Sequence, residues 1–292
     1  MPVFIVTAAD EGLSVGNFLQ KRIPAGPPAY LKQLCKKGRV CLLSGRQLDI
    51  EEVLPVGSEI CLPGSRRLQE LLVLSLENSL PISILYESRE ILLVDKPAGL
   101  AVHASRGHES DNLTGRVTRL LGQRGEKYMT APVHRLDLQT SGPVLFGKGK
   151  QACARLGQLF MQRKVEKDYL ALISGQLCGS GRLTSPVKAK GKEKPASTDF
   201  RCLAGNELAT LLKIRLYTGR QHQIRQQLAE RGHPLFGDSR YRGPCPDELP
   251  RLFLHSTRLA FVDPFSGAPV EVVSPLPSDL ADFLVTRKID YP

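Results

Sequence analysis

The chain has 292 residues, 41% apolar and 24% charged, enough for one large globular domain with a small companion and a sizeable core. Forty Lys and Arg against twenty-nine Asp and Glu leave a formal net charge of +11, so the expected partner is a polyanion. No apolar run approaches the roughly 20 residues of a membrane span, no lipidation pattern stands at either end, and MPVFIVTAADEG lacks the basic start of a secretory signal, so the expectation is a cytoplasmic nucleic-acid partner and no membrane.

In chain order, residues 1–63 read as a small unit. Ser14 can cap a short helix carrying Val15, Phe18 and Leu19, and Pro27-Pro28 opens a second with Tyr30, Leu31, Leu34 and Cys35 on one side and Gly38 as its stop. The other face of that helix holds Lys32, Lys36 and Lys37, with Arg39 following: either a nucleic-acid surface or a solvated face. Strand-like runs at 40–43 and 58–62 complete a helix-helix-strand-strand outline, and 64–80, opening on Gly64-Ser65-Arg66-Arg67, reads as a linker.

From residue 81 to 292 the pattern is strands at 91–94, 144–147, 169–173, 200–203, 210–216, 259–262 and 270–273, with helices at 113–121, 152–162, 222–231 and 279–285. Their uneven spacing predicts the α+β class with a mixed β-sheet, not a doubly wound one.

Two segments carry chemical content. HRLDLQTSGPVLFGK (134–148) puts Asp137 on a connection before a buried strand, where an acid either caps its own turn or serves a site. TGRQHQIRQQLA (218–229) crowds Arg220, Arg225, His222 and four glutamines around a helix start, a density of donors that is expensive unless it faces an anion or water. An Arg220 guanidinium near Asp137 would fix the carboxylate's orientation. In KVEKDYLA (164–171), Tyr169 and Leu170 face opposite ways, one to a cleft and one to the core.

Other chemistries are not supported. GPVLFGKG (142–149) nearly spells a phosphate loop, but its middle is strand-like and Gly149 replaces the hydroxyl that would hold magnesium. The seven cysteines are scattered with no Cys-x-x-Cys pair, and the six histidines lack ligand spacing, so reduced thiols, no metal and no cofactor are expected. No Gly-x-Ser-x-Gly elbow is present.

Taken in order, LVDKPAGLAVH (93–103), HRLD with TSG (134–142), KDYLA (167–171), PAST (195–198), GRQHQIR (219–225), GHPLFGD (232–238) and Leu254-His255 resemble the RluA family of RNA pseudouridine synthases over residues 81–285. The resemblance implies a pseudouridine synthase catalytic domain in which Asp137 is the nucleophile, Tyr169 the cleft tyrosine against the target base, and Arg220 the arginine paired to the acid. It also implies that Arg135 fills the space of a flipped base, with His134, His222 and Arg225 on the same RNA-binding side. Residues 1–63 look like a degenerate alpha-L RNA-binding domain, with Lys32, Lys36, Lys37 and Arg39 as its RNA-binding candidates. Pro143 and Gly147 depart from the family's usual aliphatic residue and alanine without touching the acid.

The implied activity is isomerisation of specific uridines in ribosomal or transfer RNA by a monomer. A carboxylate with a reference pKa of about 3.9 is ionised at neutral pH and ready to attack sugar or ring, or to act as a base. Extruding the base costs a few kcal/mol, which aromatic contact can offset. A non-catalytic RNA-binding or ribosome-assembly factor is the competing reading. A glycosidase would need a second placed carboxylate.

Overall fold

The structure, a computed structural model, describes residues 2–23, 26–79, 82–105, 111–189 and 191–291, in two units, Met1–Pro81 and Ile82–Pro292. Positions 80 and 81, where the expected linker ends and the catalytic domain begins, lie outside the described residues.

The first unit runs β1 (Val3–Ile5), α1 (Val15–Arg22), α2 (Pro28–Lys36), β2 (Cys41–Leu42), β3 (Glu59–Cys61) and α3 (Arg66–Ser79), its antiparallel sheet ordered β1-β3-β2. Ser14 Oγ accepts the Asn17 N–H at 3.4 Å to start α1, and Pro28 at the first position starts α2 without leaving an orphan donor. Phe18, Leu19, Leu31, Leu34 and Ile60 close the core. Asp10, 1% exposed, pairs with Lys21 at 2.7 Å and Arg22 at 2.6 Å and accepts from Thr7, and these contacts hold its carboxyl well below the usual range. The linker expectation needs correction: Arg66–Ser79 is a helix, because Leu68 and Leu71, one turn apart, bury in this core and Ser65 Oγ accepts the Leu68 N–H at 3.4 Å.

The second unit holds β4 (Ser83–Glu87), β5 (Ile91–Lys96), α4 (Leu113–Gln123), β6 (Thr130–Pro132), β7 (Gly142–Lys148), α5 (Lys150–Met161) and β8 (Glu166–Ser174). It continues through β9 (Ser180–Leu183), β10 (Val187–Ala189), β11 (Lys192–Lys194), β12 (Thr198–Gly205), β13 (Ala209–Leu216), α6 (Gln223–Glu230), β14 (Leu254–Val262), β15 (Pro269–Val273) and α7 (Ser278–Thr286). Each strand and helix expected beyond residue 81 is present within a residue or two, except at strand ends that extend further.

A six-stranded sheet, β15-β14-β8-β13-β12-β9, meets a four-stranded one, β4-β5-β7-β6. The class is α+β; the ladders between described strands are antiparallel, and parallel pairing is confined to one bridge, Ser141 to His255, where the two sheets join. Both faces of β5 are buried, Leu92 and Val94 beneath α4 and Ile91 and Leu93 toward α5, which explains its unbroken apolar run. No described helix is long and apolar enough to cross a membrane.

Candidate active site

Asp137 sits on the 133–141 connection between β6 and β7, in a turn closed by the Thr140 N–H donating to the Asp137 carbonyl at 3.1 Å. Three fastenings hold that connection. The first is a polar seam between the sheets. His255 Nε2 lies 3.1 Å from the Ser274 carbonyl, which places a proton there, so Nδ1 accepts the Ser141 hydroxyl at 2.9 Å. Burial pushes His255 below the ordinary imidazole value, in keeping with this neutral tautomer. Ser274 Oγ in turn donates to Asp95 at 2.9–3.0 Å.

The second fastening is Gly142. Its φ of +122° is closed to most side chains, and a Cβ there would stand 2.1 Å from the Ser256 carbonyl oxygen. The third is Lys96, fully buried, whose ammonium donates to the carbonyls of Pro97 and Leu100 at 2.8 Å and of Leu138 at 3.2 Å. Burial pushes Lys96 down to about 7, while the three carbonyls take all of its donors. The small polar run after Asp137 therefore anchors the acid's loop.

Facing the loop, α6 begins at His222, whose backbone is left-handed (φ 54°). Arg225, in the first turn, places Nη1 3.3 Å from Asp137 Oδ2, and His222 Nε2 stands 3.8 Å from the same oxygen. Arg225 is itself held by Asp238, through Nε at 2.7 Å and Nη2 at 2.8 Å, and lies over the Tyr241 ring at 5.1 Å. Tyr241 OH is 3.1 Å from His222 Nδ1. Burial pushes His222 down, opposed by the Asp137 charge.

The arginine paired with the acid is thus Arg225, correcting the expectation for Arg220. Arg220 precedes the helix start, where its Nε donates to the Pro195 carbonyl at 3.3 Å and its side chain lines the cavity wall. Three of the four glutamines correct the reading too, because they are internal stitches, while Gln221 is exposed on the cavity wall. Gln223 bridges Thr218, Ser197 and Thr198; Gln226 holds Lys188 of β10; Gln227 bonds Thr198 and Ser185. Their donors are satisfied by the fold, which removes the cost of burial.

In β8, Lys167 and Tyr169 share the cleft side, while Asp168 points away into an ion-paired cluster with Arg215 at 2.7 Å. Tyr169 is 7% exposed, and burial, reinforced by Asp137, pushes its phenol up. Arg135 is exposed at the rim. His134 lines the cleft beside Tyr169 and also serves the scaffold: Nε2 accepts the Leu145 N–H at 3.0 Å and its ring stacks on Phe160 at 4.7 Å. Burial, with Lys167 adding, pushes it down to about 3.

An open cavity of about 330 Å³ in front of Asp137 is walled by Arg135, Tyr169, Arg220, His222 and Arg225. In the first unit, Lys32, Lys36, Lys37 and Arg39 are exposed, and Lys32 and Lys36 border a surface hollow beside Tyr30. Sequence reasoning missed Asp238 and Tyr241 as site residues. Asp238 lay inside the quoted GHPLFGD segment, so an acid with no assigned role was the available signal.

A family model described as RNA pseudouridylate synthase matches residues 90–230. The chain is 30% identical to ribosomal large subunit pseudouridine synthase C of Escherichia coli (strain K12) over 306 residues, covering 95% of this chain and 94% of that one. It is 35% identical to ribosomal large subunit pseudouridine synthase D of Nitrosomonas europaea over 224 residues, 70% of this chain and 65% of that relative's length. Among solved structures, human RNA pseudouridylate synthase domain containing 4 superposes with a TM-score of 0.61 at 22% identity, covering 72% of this chain and 94% of that one. Human RNA pseudouridylate synthase domain containing 1 gives 0.55 at 25% identity, covering 70% and 94%.

Proposed function

The chain belongs to the RluA-type family of RNA pseudouridine synthases, and from that premise we propose that it isomerises uridine in large-subunit ribosomal RNA with Asp137 as nucleophile. The observation that carries the reading is the asymmetry of the carboxylate: Arg225 and His222 both address Oδ2, no hydrogen bond among the described residues reaches Oδ1, and Asp137 lines the cavity. One oxygen is held; the other is available to attack.

Isomerisation breaks the N1–C1′ bond, turns the ring and forms C5–C1′; the C5 proton is lost and N1 gains one. Atoms and electrons balance within the nucleotide and solvent, so the chemistry calls for no redox partner. The target base leaves its stack at a cost of a few kcal/mol and enters the cavity, where Tyr169 offers a ring face and Arg135 at the rim takes the vacated place. Arg225, oriented by Asp238, keeps the carboxylate aimed. Exposed Lys32, Lys36, Lys37 and Arg39 on the first unit give it a phosphate-binding face.

The test is tritium release from C5-labelled uridine in large-subunit ribosomal RNA and, separately, transfer RNA, for wild type and Asp137→Asn. Release from the ribosomal RNA by wild type alone supports the proposal. Release by the Asn variant removes Asp137 from the chemistry, and release only from transfer RNA reassigns the substrate.

A further inference from the structure

Beside the Asp137 cavity lies a second one, of about 410 Å³, within the range of small-ligand sites. The two share Arg135, Tyr169 and Arg220 as a common wall; the second then runs past Lys167 to Arg163 and Met161 at the end of α5. Four cations line it, and among the described residues no Asp or Glu does.

Four half-buried or buried arginines elsewhere have a carboxylate against them, Arg116 on Asp111 at 2.7 Å, Arg215 on Asp168 at 2.7 Å, Arg251 on Asp279 at 2.5 Å and Arg225 on Asp238 at 2.7 Å, and buried Lys96 has three carbonyls instead. Half-buried Lys167 has no such partner among the described residues, nor has exposed Arg163 beside it. The Lys167 ammonium instead lies 5.9 Å from the Phe160 ring, and burial pushes it down to about 8. A half-buried ammonium without a counterion is costly unless an anion arrives to meet it.

Arg163 stands on the same wall. It takes a left-handed conformation (φ 60°) at the end of α5, a place usually given to glycine. Beside the cations the lining offers aromatic and apolar surface: Phe160 is fixed by its stack on His134, Tyr217 is 39% exposed, and Met161, 84% exposed, offers a large polarisable side chain at the rim.

We propose that this second cavity binds the nucleotide adjoining the target uridine in the RNA chain, its phosphate on Arg163 and Lys167 and its base against Met161 and Tyr217. The assignment rests on the reading of the Asp137 cavity as the site of the flipped uridine. Extruding that uridine strips its neighbour of a stacking partner, and the shared wall means the chain need only pass Arg135 and Tyr169 to reach the next hollow. A cationic hollow with soft apolar surface answers both needs of that neighbour, charge and stacking.

Filter binding of a large-subunit ribosomal RNA fragment across a salt series, with thermal unfolding as a control of fold, tests this for Arg163→Ala, Lys167→Met and Lys167→Arg. Each neutral variant should lower the slope of log K against log salt by about 0.7–0.9, one phosphate contact, and Lys167→Arg should keep it. A neutral methylphosphonate at the linkage next to the target uridine should weaken wild-type binding more than it weakens binding by Arg163→Ala. Folded variants with wild-type slopes, or wild-type indifference to that linkage, would overturn the assignment. Because the readout is binding, it stands apart from turnover: a wild type that bound with these slopes but released no tritium would refute the isomerase reading and leave the phosphate site standing.

Discussion

Arg225 serves two carboxylates at once, gripping Asp238 at 2.7 and 2.8 Å while its third nitrogen stands 3.3 Å from Asp137. The geometry uses the planar fork of a guanidinium, which a lysine lacks. Arg225→Lys should therefore lower kcat by about 100-fold or more, as losing a preorganised donor does. Asp238→Asn should follow it, since Asp238 aims the fork. Arg220→Gln should mainly raise KM and keep kcat within about threefold, because its guanidinium contacts the Pro195 carbonyl. Single-turnover tritium release separates the three; an Arg220 variant losing kcat as heavily as Arg225→Lys would restore Arg220 as the acid's partner.

Gly142→Ala should be among the most destabilising single-methyl changes available. The new Cβ would be driven to 2.1 Å from the Ser256 carbonyl at a φ of +122°, so β7 must part from β14. A loss of about 3–5 kcal/mol in urea denaturation is expected. A loss under ~1 kcal/mol would mean that the junction yields.

Lys96→Met should remove a side-chain donor that reaches three carbonyls around the Asp137 loop, those of Pro97, Leu100 and Leu138. Leaving buried acceptors unmet predicts a loss of about 3 kcal/mol or more. Any folded fraction should also turn over more slowly, because Leu138 follows Asp137 directly. Unchanged unfolding with reduced turnover would indicate a role outside the scaffold.

Acid should loosen the scaffold through His134. Its pKa is about 3 in the folded chain against an ordinary 6.5, so the unfolded chain binds more protons between those values. The stability that neutral His134 provides is complete above pH 6.5 and is lost as pH falls toward 3, by no more than about 1.4 kcal/mol per unit. His134→Gln, which keeps an acceptor for Leu145, should flatten that slope. Urea midpoints at pH 7, 6 and 5 for both proteins check it, and parallel slopes would count against the assignment.

Much of the second unit was legible because its strands are long and apolar and its helices amphipathic. What periodicity could not see was short or polar: β6 is three residues ending in Pro132, and β10 and β11 pair through Lys188, Glu193 and their neighbours. The helix α3 was hidden by Pro63-Gly64 before it, although Leu68 and Leu71 already carried its spacing. At the site, the acid and the tyrosine came from ordered motifs. The choice between Arg220 and Arg225 depended on where the helix begins, and that is set by the left-handed backbone of His222, which no residue count foretells. The glutamine cluster was misread for a related reason: its partners, Thr198, Ser185 and Lys188, come from strands far off in sequence.

The seam at Ser141 and His255 bears on how this unit comes apart. The Ser256 amide bonds the Ser141 carbonyl at 2.8 Å, so the loop that carries Asp137 is also the joint between the two sheets. Such an amide can exchange its hydrogen with solvent only when the sheets separate, and its protection should equal that of the deepest core amides. Activity and fold would then vanish over the same range of denaturant, leaving no window in which the scaffold persists with its carboxylate adrift.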